Sequence, residues 1–168
     1  MATDPRITCI TPSVGGAGFY YEDWWGVPGS ARSSGGTSYL DHYNQTAAAQ
    51  SYWPDITCPT LFLTAANDFN AAFDVIIRAM NLQPTNVPQR VAFVPHKNHQ
   101  FDTDSYAARV LWQRAHLTDT FDFPERAVAE LDLTEEDGVP VFRVWPDEST
   151  SNTVVGVDIY YGIDRQIL

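Results

Sequence analysis

The sequence is poor in positive charge. Ten Lys and Arg residues, with Lys97 the single lysine among them, stand against 21 Asp and Glu, for a formal net charge of −11. A nucleic-acid binder needs a basic face to meet the phosphates; the few positive residues here are scattered, so no nucleic-acid partner is expected. The same charge disfavours an anionic membrane surface. Long apolar runs are missing as well: 44% of the chain is hydrophobic, yet no stretch approaches the roughly 18 residues of a membrane span, so a soluble class and no membrane partner are expected. Cysteine is scarce. Cys9 in ITCI and Cys58 in ITCPT each sit in or beside an apolar run, where a buried reduced thiol is the first expectation and a single disulfide the alternative. Neither shows metal-ligand spacing. The first twenty residues lack a charged start, an apolar core and a small-residue cleavage site, so no signal peptide is expected.

What is present is concentrated between Ile56 and Phe101. Thr60 to Ala65 is short, apolar and bounded by Pro59 and Asn67, as in a strand buried on both faces, and Asp68 falls at its carboxyl end. From Ala71 to Leu82 the residues Phe73, Ile76, Ile77 and Met80 recur at helical spacing, with Asn70 a candidate N-cap and Pro84 just past the end. Gln89 to Val94 reads as a second buried strand, stopped by Pro95 and followed by His96 and His99. Two parallel strands joined by a helix deliver both following loops to one edge of the sheet. Asp68 and a histidine of the second loop are therefore expected to meet there, as a carboxylate that orients an imidazole and an imidazole that takes a proton from a hydroxyl.

The phrases ITCPTLFLTAANDF and PHKNH resemble those of the α/β-hydrolase family, in particular bacterial hydrolases related to acetyl xylan esterases and prolyl-oligopeptidase-like esterases. The resemblance covers roughly Asp4 to Leu117 and implies an α/β fold in which the acid precedes the histidine, each after a late core strand. It implies catalytic roles for Asp68 and His99, with His96 the competing histidine, a small-molecule or carbohydrate ester substrate, and no cofactor. One family feature is missing. No G-x-S-x-G elbow and no HGGG-type segment occurs in the 168 residues, and no serine has the flanking glycines of a nucleophile elbow. The expectation is a C-terminal part of a hydrolase domain that carries acid and histidine but no nucleophile.

Upstream, Arg6 to Pro12 reads as a further buried strand after the turn signal Asp4-Pro5, and by the resemblance Met1 falls inside a larger domain. Val14 to Gly18, VGGAG, reads as a tight exit loop, with an anion cradle the sharper alternative. Phe19, Tyr20, Tyr21, Trp24 and Trp25 follow within seven residues; packing over a core is the plainer reading, and a substrate wall formed by Tyr20, Trp24 and Trp25 is the functional one. Val27 to Ser38 is rich in Gly and Ser, and Leu40 to Tyr52 reads as a helix closed by Pro54. His42 is expected to face solvent.

Beyond His99, Asp102 or Thr103 is placed to cap a helix from about Asp104 to Leu117. His96, His99, Asp102 and Asp104 lie within nine positions, so a metal-binding loop is an alternative function, although Asp102 is already required as a cap. Composition changes near residue 122. Three alternating runs, around Leu131, over Val141 to Trp145 and over Val155 to Tyr161, predict half-buried strands of a truncated accessory β-domain at 123–168, after a partial hydrolase domain at 1–122. Free strand edges would favour self-association. A non-catalytic carbohydrate- or protein-binding module is the other functional alternative.

Overall fold

The computed structural model describes residues 4–13, 45–46, 48–68, 73–133, 139–146, 153 and 155–160. The chain divides into two compact units, Met1–Val110 with Gln166–Leu168, and Leu111–Arg165.

The first unit is organised around strand β1, Thr60–Ala65, all six residues of which are buried. Strand β2, Gln89–Val94, pairs with it in parallel, from Thr60 opposite Gln89 to Ala65 opposite Val94. On the other side of β1 lie residues 10–13, also parallel, through bridges at Ile10–Thr60 and Ser13–Leu63. The three apolar runs expected to be neighbouring parallel strands are therefore neighbours, with β1 in the middle. The first of them forms bridges rather than a continuous ladder, and Pro12 explains why. Ile10 N–H donates to Pro59 O (2.9 Å), Leu61 N–H to Ile10 O (3.0 Å) and Leu63 N–H to Pro12 O (2.9 Å). The remaining bond of that repeat would come from the nitrogen of Pro12, which has no hydrogen.

Helix α1, Phe73–Leu82, connects β1 to β2. Its apolar stripe of Val75, Ile76, Ala79 and Met80 packs into one core with Ile10, Trp53, Ile56 and Phe62. Phe73 touches Phe93 of β2 at 4.7 Å between ring centres, and Trp53 touches Phe62 at 5.0 Å. Side chains alternate along a strand, so α1 covers the Phe62 and Phe93 face. Leu61, Leu63 and Val94, on the opposite face, are buried too. The buried hydroxyl of Thr60 is satisfied on both counts: Oγ1 donates to Cys58 O (3.1 Å) and accepts from Gln83 Nε2 (2.8 Å).

The segment expected to be helical up to Tyr52 ends differently. Ala49–Ser51 and Trp53–Asp55 form two short 3-10 turns, closed by Tyr52 N–H to Ala49 O (3.0 Å) and Ile56 N–H to Trp53 O (3.2 Å). A proline cannot continue an α-helix because it lacks the donor and clashes with the preceding turn, so the tighter turn prevails around Pro54.

Helix α2, Thr103–Gln113, begins at the predicted cap: Asp102 Oδ1 accepts from the N–H and the hydroxyl of Ser105, both at 2.9 Å. It widens at Arg114–Thr118 into an i to i+5 turn, which ends on Asp119 in the left-handed region at φ 51°. In the second unit Trp112 is buried, with ring contacts to His116 (4.3 Å) and Phe123 (5.0 Å). Strands β3, Val128–Asp132, and β4, Val141–Trp145, pair antiparallel. Two features depart from the predicted half-buried strands. Residues 155–160 are exposed and form no strand, and β3 is exposed along nearly its whole length. Alternation marks which residues share a face; it does not supply a layer to cover that face. The chain is a mixed α/β protein with a parallel sheet, followed by a β-ribbon.

Candidate active site

Parallel pairing sets the site. β1 and β2 run the same way and end in register, at Ala65 and Val94, so the two loops that follow leave the same sheet edge. Their backbones are then tied together. Ala66 N–H donates to Val94 O at 2.9 Å and Asn67 N–H to Lys97 O at 3.1 Å, while Asp68 N–H turns back to Ala65 O at 3.2 Å. These bonds place Asp68 one residue beyond the tie on its loop and His99 two residues beyond it on the other.

Across this gap Nδ1 of His99 lies 3.1 Å from Oδ1 and 3.1 Å from Oδ2 of Asp68. The Asp68 side chain is fully buried and that of His99 is 41% exposed. A buried carboxylate needs a donor, and an imidazole that gives it the Nδ1 proton keeps its basic lone pair on Nε2. The pair is therefore one inward acid and one outward-reaching base.

His96 lies in the preceding turn, exposed, with a positive φ of 58°. Asp102 is engaged as the α2 cap, and its Ser105 hydrogen bonds hold its carboxyl below the usual carboxylate range. Among the described residues no group of three or more His, Cys, Asp or Glu side chains converges to hold a metal ion, so the metal-loop alternative at His96, His99, Asp102 and Asp104 is not assembled. The reason is local: the helix cap draws Asp102 onto Ser105, while His99 faces Asp68. Tyr20, Trp24 and Trp25, the expected substrate wall, lie outside the described residues, as do the VGGAG loop, Asn70 and His42. The contributions of Asn67 and Lys97 were not read from the sequence, because both act through backbone atoms; Pro95, a favoured turn residue, is the one signal that pointed to a reversal there. Both cysteines are free thiols, and burial pushes each one's pKa up. Among the described residues no helix is long and apolar enough to cross a membrane.

No family model matches the chain, and no curated protein matches it in sequence. Solved structures similar to it include a mutant puromycin hydrolase complexed with PGG, at 12% identity and a TM-score of 0.48 over 67% of this chain. A protein from Klebsiella pneumoniae assigned as a dienelactone hydrolase is similar over 70% of this chain, at 14% identity and a TM-score of 0.42. The chain covers 19% of the length of the first structure and 44% of the second.

Proposed function

We propose that Asp68 and His99 are the acid and base of a hydrolytic site of the α/β-hydrolase kind, one that acts on carboxylic esters with a nucleophile not encoded here as a G-x-S-x-G elbow. The observation that carries this reading is the forked 3.1 Å contact between a buried Asp68 carboxylate and Nδ1 of a half-exposed His99. In the proposed reaction Nε2 of His99 removes the proton from the attacking hydroxyl and later returns it to the leaving group. Asp68 fixes the tautomer and stabilises the imidazolium that forms in between. An acylated carbohydrate or a peptide-like ester is the proposed substrate class, with Tyr20, Trp24 and Trp25 as its proposed wall.

Alone, the chain has a base and an acid but no elbow serine, and the oxyanion donors that lower such a barrier by about 3–4 kcal/mol have no counterpart in an HGGG-type segment. It should hydrolyse an activated aryl acetate only as a positioned imidazole does, slowly and with water as the nucleophile. The test is the rate of aryl acetate hydrolysis by the purified chain, by His99→Ala and by Asp68→Asn, with and without a serine-directed fluorophosphonate. A slow rate that falls in both variants and ignores the inhibitor supports the reading. A rate unchanged by His99→Ala overturns the base assignment, and strong inhibition by the fluorophosphonate overturns the absence of a nucleophile.

A further inference from the structure

The stretch between the end of β2 and His99 contains a left-handed residue, His96, in a conformation that histidine tolerates better than most side chains but that still costs energy outside glycine. His96 has φ 58°, and among the described residues Asp119, in the wide turn after α2, is the only other non-glycine residue with positive φ. An L side chain in this region brings its Cβ against the backbone, so the conformation persists only where surrounding contacts hold it. Those contacts are visible on both sides of the residue. Val94 O is held by Ala66 N–H (2.9 Å) and Lys97 O by Asn67 N–H (3.1 Å), so the chain must reverse within Pro95 and His96 to present both carbonyls to successive amides of the other loop. Pro95 arrives with φ already fixed and with no N–H to satisfy, which leaves His96 to absorb the rest of the turn.

The consequence reaches the site. Asn67 is the neighbour of Asp68, and Lys97 stands two residues before His99. Were His96 to relax to an ordinary negative φ, the Lys97 carbonyl would swing away from Asn67 and take the start of the histidine loop with it. We propose that His96 is a positioning residue, which works through its backbone conformation: its left-handed turn latches the histidine loop to the acid loop and so sets the Asp68–His99 contact. The role assigned is that of the backbone conformation, and the glycine variant below separates it from any part played by the imidazole. This deepens the hydrolytic reading of the same pair, but it concerns how the pair is held, and the experiment below needs no turnover.

The experiment compares the purified chain with His96→Gly, His96→Asn and His96→Val. Glycine and asparagine accept positive φ, whereas a β-branched residue resists it strongly. Two signals report the latch directly: hydrogen exchange of the Asn67 amide, and the Nδ1–H tautomer of His99 in long-range proton–nitrogen spectra. Amide exchange along β1 serves as the control that the sheet is intact. The expected result is that His96→Gly and His96→Asn keep both signals and that His96→Gly does not lower the melting temperature. His96→Val is expected to raise Asn67 exchange at least tenfold and to lose the fixed tautomer while β1 stays protected. Retention of both signals in His96→Val overturns the proposal. So does their loss in His96→Gly, since the imidazole would then be the active element; if the valine variant fails to fold, His96→Ala, which resists positive φ less severely, takes its place, and retention of both signals there overturns the proposal. If the latch behaves as expected and His99→Ala leaves ester hydrolysis unchanged, the hydrolytic reading falls and the positioning role survives it.

Discussion

Nδ1 of His99 is shared between the two carboxylate oxygens of Asp68, at 3.1 Å from each, and the carboxylate itself is closed off from solvent. Removing the imidazole therefore leaves a buried charge without this donor. A hydrogen bond to a charged group contributes about 1.5–3 kcal/mol, and water entering the half-exposed place of His99 would replace part of it, so His99→Ala should cost about 1–2 kcal/mol. Asp68→Asn in the His99→Ala background should recover some of that loss, because a neutral amide is cheaper to bury than a carboxylate. Urea unfolding of the two single variants and the double variant checks this. A double variant less stable than His99→Ala would mean that the carboxylate is held mainly by other groups.

The core beneath the site makes a separate prediction. Phe62 is 1% exposed and lies against Trp53 and the α1 stripe. Phe62→Ala should cost about 3–5 kcal/mol and Ile76→Val about 0.5–1.5, since each removes buried surface and leaves a cavity in proportion. Domains have only about 5–15 kcal/mol to lose, so the first variant should be largely unfolded at moderate urea where the second is still folded. Equal midpoints for the two would show that Phe62 is not packed as described.

The meeting of Asp68 and His99 could be read from the chain because two short apolar runs and one amphipathic helix leave few ways to fold. Once β1 and β2 are parallel, Asp68 and His99 share an edge whatever else the chain does. What could not be read depends on partners distant in sequence. The turn at His96 is hard to read because a histidine, although it tolerates positive φ better than most residues, signals it only weakly. The ladder gap at Pro12 appears only when the neighbour that misses the donor is known. The 3-10 turns around Trp53 are a contest between helix-favouring alanines and Pro54, which a propensity sum does not resolve at Ala49 to Asp55. The run at residues 155–160 has strand periodicity and lies exposed, because alternation encodes a face and not its cover.

Cys9 and Cys58 should remain separate thiols. Cys58 packs against the core cluster that includes Ile10, whereas Cys9 precedes Ile10 by one position and so points to the other face of the strand. Side chains directed to opposite faces do not meet disulfide geometry without moving the backbone. Burial, and for Cys9 also the nearby Cys58, raises the pKa of each thiol, so thiolate is scarce at neutral pH. Without reductant, both thiols should be counted on denaturation, and in the folded chain both should alkylate more slowly than an unhindered cysteine peptide. A count of zero thiols would contradict the register of residues 10–13 on β1.

The start of α2 should be acid-sensitive. Asp102 accepts two hydrogen bonds from Ser105, which depress its carboxyl below the ordinary range in the folded chain. A depressed folded value means that the contribution is complete above the unfolded pKa, weakens as pH falls through it, and is gone below the folded one. Exchange of the Ser105 amide, corrected for the intrinsic pH dependence, should therefore rise on acidification through that window. In Asp102→Asn, which still caps but does not titrate, the corrected exchange should stay flat. A rise in the variant as steep as in the wild type would assign the effect to another group.

The β-ribbon should behave unlike the sheet of the first unit. In its register Leu131 faces Phe142 and Ala129 faces Val144 on one side, while Glu130 faces Arg143 on the other, where Arg143 also pairs with Asp132 at 3.6 Å. Leu131 is 58% and Phe142 52% exposed, so the apolar side holds little area out of water. A two-stranded ribbon without a covered face is marginal in water, and ion pairs at a surface add little. Amides of β3 and β4 should accordingly exchange through openings of low free energy, while those of β1, buried on both faces, exchange only through larger unfolding. The same contrast should appear in paired substitutions: Leu131→Thr should change stability by no more than about 0.5 kcal/mol, and Leu61→Thr, at a fully buried strand position, by several times that. Destabilisation by Leu131→Thr beyond about 1 kcal/mol would mean that the Leu131–Phe142 face is covered in solution.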